Sequence, residues 1–200
     1  MSTHQHIIQR IANIKAGKIL FPVDFRGVGA DSAIKMSLSR IAQKGSIVRL
    51  SNGIYMKTKK SGDKAGIMGP EDIAKAVAEK EKIRIKPAGA YALFLLGFTN
   101  EKPAVFTYVT DGEPRRISIG ESIVVFKSTT PKKLSMIGKV SSILIQAIED
   151  TGQKNISEEM LEFVKQALHK EDQLHIDGDM KKAPAWIYNL LYKIKGNNKF

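Results

Sequence analysis

The chain reads DSAIKMSLSRIAQKGSIVRLSNGIYMK from residue 31 to residue 57, and this stretch is the most informative part of the sequence. Apolar residues recur at Ile34, Leu38 and Ile41, which is the spacing of the buried face of a helix. Gly45 follows at a place where a left-handed residue is favoured after the last helical turn. The first half of the stretch therefore predicts a short amphipathic helix that ends at Gly45.

The start of this helix and the segment after it are also marked by particular residues. We expect Asp31 to be the N-cap, because its carboxylate can accept from the free N–H groups of the first turn. Residues 47–50 and 54–57 are joined by Ser51-Asn52-Gly53, and Asn-Gly between short strands indicates a hairpin. A donor-rich helix followed at once by a basic hairpin predicts a winged helix-turn-helix, in which the helix enters the major groove of DNA.

The residues before this stretch supply the remaining parts of such a unit. Residues 6–16 have an apolar face and are expected to form a first helix that stops at Gly17. Residues 21–25, with Pro22 tolerated in the first turn, are expected to form the supporting helix of the pair. The glycine-rich residues 26–30 would then be the turn between the two helices.

The exposed face of the helix and the hairpin carry the candidate DNA contacts. Arginine and glutamine suit the base edges of guanine and adenine, whereas lysines at the border of the face suit phosphates. The predicted contacts are Ser32, Ser39, Arg40 and Gln43 for base edges, Lys35 and Lys44 for phosphates, and Arg49, Asn52 and Lys57 for the DNA backbone beneath the hairpin.

Other interpretations of these residues stay open. The polar face could be an ordinary solvated helix surface, and Arg40 could brace the fold through an internal ion pair. Tyr55 is expected in the core, where it would tie the hairpin to the first helix. Lys18 and Arg26 are further candidate phosphate contacts.

The charge of the chain is concentrated in the same region. The whole chain has a net charge of +12, and residues 1–60 contain seven Lys and four Arg against two Asp, a net charge of +9. A basic module beside a nearly balanced one is typical of a nucleic-acid-binding protein. Lysine-rich surfaces also serve solubility, which is the alternative explanation.

Composition restricts the remaining possibilities. The chain has no cysteine, which excludes disulfide bonds and cysteine-ligated zinc. The N-terminus lacks the features of a signal peptide, and the longest apolar run, residues 88–98, is far shorter than a membrane span. We therefore expect a soluble cytoplasmic protein that makes no membrane contact.

The rest of the chain is expected to form a second domain after a polar linker at residues 57–69. The patterns predict a mixed α+β domain with a helical C-terminal part, so that the chain divides into a winged helix-turn-helix at 1–60 and an α+β domain at 70–200. The expected helices are 70–82, 87–97, 138–148, 157–169 and 183–195, and the expected strands are 105–109, 115–119 and 122–127.

Segments of both modules resemble the AbiEi family of antitoxins, from about residue 5 to residue 130. In the first module the similar segments are Ser37-Leu38-Ser39-Arg40-Ile41, Lys44-Gly45 and Gly53-Ile54-Tyr55. In the second module they are Pro87-Ala88-Gly89-Ala90, Ala92-Leu93, Leu96-Gly97-Phe98-Thr99, Pro103, Tyr108-Val109-Thr110-Asp111-Gly112, Arg115-Arg116-Ile117 and Ile119-Gly120.

AbiEi-type proteins are antitoxins of type IV toxin–antitoxin systems. The resemblance implies a repressor that binds promoter repeats in its own operon through the winged helix. It also implies a nucleotidyltransferase-like toxin as functional partner, without a stable complex. On double-stranded DNA we expect a monomer or a weak dimer. The alternatives are a free-standing winged-helix regulator without a toxin and a protein- or RNA-interaction factor.

Nothing in the sequence favours an enzyme. The phosphate-loop motif G-x-x-x-x-G-K-[ST], the dinucleotide motif G-x-G-x-x-G and the nucleophile elbow G-x-S-x-G are all missing. The four histidines, at positions 4, 6, 169 and 175, do not form an H-E-x-x-H motif. We therefore expect neither catalytic residues, nor a metal site, nor a cofactor. Asp111-Gly112 with Arg115-Arg116 is interpreted as a structural turn, with an interaction surface as the alternative.

Overall fold

The computed structural model describes residues 1–58 and 69–196, and these residues form a mixed α+β protein. The chain separates into two compact units, Met1–Val77 with Ile117–Gly120, and Ala78–Arg116 with the residues from Glu121 onward. The predicted α+β class is confirmed. The linker predicted at 57–69 lies outside the described residues except at its two ends, so the boundary between residues 60 and 70 stays a prediction.

The first unit is built from small helices around a short sheet. The sheet is antiparallel, and its strand order is β1-β3-β2. In chain order the elements are α1 (Thr3–Ala12), β1 (Ile19–Leu20), a 3-10 turn (Pro22–Phe25), α2 (Asp31–Gln43), β2 (Ile47–Ser51) and β3 (Ile54–Lys57). Helix α3 (Pro70–Glu81) follows the residues that are not described.

The first helix differs from the prediction at both ends. Helix α1 begins at Thr3, because the Ser2 hydroxyl accepts from Gln5 N–H while the Gln5 side chain accepts from Ser2 N–H. This reciprocal pair satisfies two free donors of the first turn. The helix ends at Ala12 with Asn13 as its C-cap, so the expected stop at Gly17 is wrong.

The segment before α2 also departs from the prediction. Residues Pro22–Phe25 form a single 3-10 turn rather than a supporting α-helix, and Asp24 Oδ2 holds it by accepting from Phe21 N–H at 2.8 Å. The N-cap of α2 is Ala30, so the prediction of Asp31 as the cap is wrong. Asp31 is instead the first helical residue, where its negative charge interacts favourably with the helix dipole.

One core cluster joins α1, the 3-10 turn, α2 and the sheet of the first unit. Gly45 ends α2 with φ +78°, as predicted. Tyr55 is buried in the same cluster as residues of α1, which confirms its expected place. The buried members of this cluster are Ile7, Ile11, Leu20, Phe25, Ile34, Leu38, Ile41, Ile47 and Tyr55.

Close packing explains one glycine of the turn before α2. A Cβ on Gly29 would lie 2.7 Å from Thr3 Cγ2 and closer still to Thr3 Oγ1. The glycine therefore lets the turn approach the start of α1. Gly27 has φ +88° in the same turn, a conformation that residues with a side chain rarely adopt.

The second unit contains most of a four-stranded sheet and a helical C-terminal part. The sheet order is β4-β5-β7-β6, with β4 antiparallel and β7 parallel to β5. The elements after α3 are β4 (Ile85–Ala88), α4 (Gly89–Leu96), β5 (Val105–Thr110), β6 (Arg115–Ile119), β7 (Ser122–Ser128), α5 (Pro131–Leu134), α6 (Ser141–Thr151), α7 (Glu158–Leu168), α8 (Gln173–Met180) and α9 (Ala185–Gly196).

The main departures in this unit are elements that the sequence patterns did not predict. Residues 87–97 were expected to form one helix, but Pro87 and Ala88 belong to strand β4 and the helix begins at Gly89. Helices α5 and α8 were also not predicted. Among the described residues, no helix is both long and apolar enough to cross a membrane.

Candidate nucleic-acid interface

The face of α2 that was predicted to contact DNA is accessible along its length. Ser32, Lys35, Arg40, Gln43 and Lys44 are exposed, and Ser39 is half-buried. On the opposite face the three apolar residues Ile34, Leu38 and Ile41 are buried, as the sequence predicts. Helix α2 can therefore present polar side chains outward without loss of core packing.

A cleft of about 390 Å³ lies between α2 and the hairpin formed by β2 and β3. Lys35 and Ser39 line it from the helix, and Arg49 and Asn52 line it from the hairpin. Four of the nine predicted contacts therefore meet in one place, although the two pairs are ten or more residues apart in the chain. Two of the four carry a positive charge, which makes the cleft a site suited to an anion.

Local hydrogen bonds fix the position of Arg49 in this cleft. Its Nη2 donates to Asn52 Oδ1 at 2.9 Å, and its Nε donates to the Ser51 carbonyl oxygen at 3.4 Å. The guanidinium is thus held over the tip of the hairpin by the residues of the turn. Since a guanidinium carries five N–H donors, it keeps donors for a phosphate oxygen.

The remaining predicted contacts lie outside the cleft. Lys57 is half-buried at the other end of the hairpin, where it pairs with Ile47. Close to it, the Thr58 hydroxyl donates to the carbonyl oxygens of Gly45 and Ser46 at 2.8 and 2.9 Å. The structure therefore does not bring Ser32, Arg40, Gln43, Lys44 and Lys57 together with the other four in this cleft.

Sequence reasoning did not identify Pro22 and Gly53 as residues of the cleft. Pro22 Cδ would lie 4.0 Å from a Cβ on Gly53, so the 3-10 turn approaches the tip of the hairpin. The proline could be recognised as a helix-start signal, but its distance from the hairpin depends on tertiary packing that no local pattern encodes.

Several acidic and basic residues of the second unit pair with each other. Asp111 accepts from Arg84 Nε and from Arg84 N–H, each at 2.8 Å, and the guanidinium of Arg84 lowers the pKa of that carboxyl. Arg115 binds both carboxylate oxygens of Glu81, with Nη1 to Oε1 at 2.7 Å. These contacts give Asp111 and Arg115 a structural role, which agrees with the predicted turn.

A second polar cluster joins α8 to the start of α6. Asp179 is fully buried and accepts from Ile137 N–H, from Gly138 N–H and from the Ser141 hydroxyl at 2.7–2.9 Å. Glu171 accepts from Val140 N–H at 2.6 Å and from Ser141 N–H at 3.3 Å. Together the two carboxylates accept from the backbone N–H groups of residues 137, 138, 140 and 141, which lead into and begin α6.

No group of three or more His, Asp or Glu side chains suited to a metal ion occurs in the part of the chain that the structure describes. His175 Nδ1 lies 3.4 Å from Oε1 of Glu171, four residues earlier in the chain. The carboxylate of this pair already caps α6, which gives the pair a structural explanation.

The chain matches a protein family over residues 6–176, a range that includes parts of both units. The family is described as a family of unknown function, DUF6088, and the chain belongs to it. No curated protein matches the chain.

Proposed function

We propose that this member of the DUF6088 family is a DNA-binding transcriptional repressor whose first unit is a winged helix-turn-helix. The order of its elements supports this proposal: a helix, a strand, a helical turn, a second helix and two strands of one antiparallel sheet. In this arrangement α2 is the recognition helix and the β2–β3 hairpin is the wing. A helix of 13 residues is about 20 Å long and fits the major groove of DNA.

The observation that carries the proposal is the cleft shared by Lys35, Ser39, Arg49 and Asn52. A DNA backbone that passes between the recognition helix and the wing would place phosphates beside Lys35 and Arg49. Such contacts fix the register of the protein on the duplex without reading its sequence. Ser32, Arg40 and Gln43 on the outer face of α2 are then free to approach base edges.

The electrostatic balance of the first unit favours the same conclusion. Residues 1–58 contain five Lys and four Arg against two Asp, a net charge of +7. Each phosphate neutralised by such a surface releases counterions, which makes binding strong at low salt and weak at high salt. Two such units on inverted repeats would increase affinity through effective concentration.

Repression would follow from occupancy, because a protein bound to promoter repeats excludes RNA polymerase. The AbiEi resemblance supports an additional role as an antitoxin against a nucleotidyltransferase-like toxin, with the second unit as the part that counters it. A toxin gene beside this gene, and growth rescue on co-expression, would support that role. Lack of both would leave a free-standing regulator.

The proposal can be tested by removing the two cationic side chains of the cleft. We expect Lys35→Ala/Arg49→Ala to weaken binding to the DNA upstream of the gene and to unrelated DNA alike. The slope of log K against log salt should fall by about two, since each lost phosphate contact contributes about 0.9. Fluorescence anisotropy over a salt series measures both quantities.

The matched control is Lys154→Ala/Lys170→Ala, which removes the same charge from exposed positions of the second unit. This control should leave affinity and slope close to those of the wild type. If the control and the cleft variant lose affinity equally, binding reflects overall charge, and the protein- or RNA-interaction alternative is favoured.

A further inference from the structure

A second cleft, of about 420 Å³, is lined by residues of α8 and α9 in the second unit. Two tyrosines, Tyr188 and Tyr192, and two lysines, Lys181 and Lys195, are in its lining. None of them belongs to the surface proposed for duplex DNA, so this combination of aromatic and cationic side chains has a different explanation.

The tyrosines are on the outer face of α9 and do not serve the core. The buried face of α9 is formed by Ile187, Leu191 and Ile194, which pack in the large helical cluster of this unit. Tyr188 and Tyr192 are 37% and 64% exposed. Their rings are nearly parallel, at 14°, with centroids 6.1 Å apart. Two aromatic surfaces are therefore open to a flat ligand.

The charges around these rings favour an anionic ligand. Lys195 Nζ donates to Asp177 Oδ1, which holds the ammonium group at the cleft. Asp177 Oδ1 also accepts from Gln173 Nε2 at 3.3 Å. Lys181, the other lysine of the lining, is exposed. Two lysines thus accompany a single aspartate in the lining around the two rings.

We propose that this cleft binds single-stranded nucleic acid, with bases stacked on Tyr188 and Tyr192 and phosphates near Lys181 and Lys195. Stacking platforms flanked by cations are how proteins hold single strands without reading sequence. A hydrophobic peptide anchor fits less well, because Met180, the aliphatic side chain of the lining, is only 3% exposed. The volume lies within the range of small-ligand pockets, so one or two nucleotides would enter it.

The test uses the full chain and fluorescein-labelled 12-mers of dU and of rU, with excess unlabelled duplex to occupy the first unit. We expect Tyr192→Ala to weaken binding of the single strand about 5- to 150-fold, the range for one lost stacking contact. Tyr192→Phe keeps the ring and should retain most of the affinity. Lys181→Ala should lower the salt slope by about 0.7.

An abasic 12-mer of the same charge separates stacking from simple attraction to phosphates. It should bind weakly and respond little to Tyr192→Ala. A comparison of rU with dU then identifies RNA or DNA as the preferred strand. The proposal is wrong if the wild type fails to bind either strand, if the abasic strand binds as well as dU, or if Tyr192→Ala binds like the wild type. Thermal unfolding of Tyr192→Ala checks that the fold is retained.

Discussion

At the scale of single residues, the proposed DNA-binding function assigns different roles to different side chains of α2 and the hairpin. Lys35 on α2 and Arg49 on the hairpin both line the cleft, where we expect phosphates to bind. Arg40 is exposed on α2 but lies outside the cleft. A base-reading residue and a phosphate-binding residue differ in what their removal changes. The first alters sequence preference, and the second alters affinity for every sequence.

Arg40→Ala should therefore reduce the preference for the cognate promoter over unrelated DNA by about 1–3 kcal/mol, with little change in non-specific binding. The comparison of both DNAs at one salt concentration measures this preference. An unchanged preference would mean that Arg40 does not contact base edges, and it would favour the alternative that Arg40 stabilises the fold.

Gly29 controls how closely the turn before α2 approaches α1. We expect Gly29→Ala to lower the free energy of unfolding by about 1–3 kcal/mol, because the added methyl group meets the Thr3 side chain. Thr3→Ala in the same chain should recover most of this loss, since it removes the two nearest atoms. Urea unfolding of both variants tests the contact, and an undiminished stability of Gly29→Ala would contradict it.

Several residue roles could be derived from the sequence, and others could not. Ile34, Leu38 and Ile41 are buried and Gly45 is left-handed, because helical periodicity and a stop signal are local properties. The N-cap of α2 was predicted one residue too late, at Asp31, because a cap needs extended backbone and Ala30 is the residue that adopts it. The meeting of Lys35 with Arg49 depends on how the hairpin packs, which local patterns do not specify.

At the scale of elements, the predictions succeed where the local sequence signal is strong and fail where it is weak. Helix α3, helix α7 with its Ser157 cap and the β6–β7 hairpin all occur at their predicted places. Strand β4 has only four residues and contains a proline, so its pairing with β5 overrides the local signals. Helix α8 contains glycine and lacks a strong apolar face, so periodicity could not reveal it.

Glu171, which precedes α8, binds backbone N–H groups at the start of α6, and we expect this contact to make the stability of the second unit depend on pH. Burial raises the pKa of Glu171, but hydrogen bonds from the N–H groups of Val140, Asp172 and Ser141, and from His175, outweigh this effect and lower it. Because the folded-state pKa is lowered, the ionised carboxylate stabilises the fold above the ordinary pKa of about 4.3. This stabilisation is lost as the pH falls through the folded-state pKa.

Glu171→Gln should therefore unfold at lower denaturant concentration than the wild type at neutral pH, and the difference should shrink as the pH falls below about 4. Chemical unfolding at several pH values measures it. The amide keeps an oxygen acceptor for Val140 N–H, so the variant is expected to fold. A difference that stays constant with pH would contradict the assigned role of the charge.

At the scale of the whole molecule, the family match over residues 6–176 spans parts of both units. Charge is distributed unequally along this chain, with +9 in residues 1–60 out of a total of +12. That asymmetry could be seen in the sequence and gave the direction of the functional proposal. The paired rings of Tyr188 and Tyr192 on α9 could not be predicted from the sequence, because their position outside the core depends on how the C-terminal helices pack.

The most direct measurement is a titration of the purified chain against the DNA upstream of its own gene, with unrelated DNA as competitor, at low and high salt. We predict that preference for its own promoter persists at high salt, because base contacts are less sensitive to ionic strength than phosphate contacts. Equal binding of both DNAs that disappears at high salt would contradict a sequence-specific repressor.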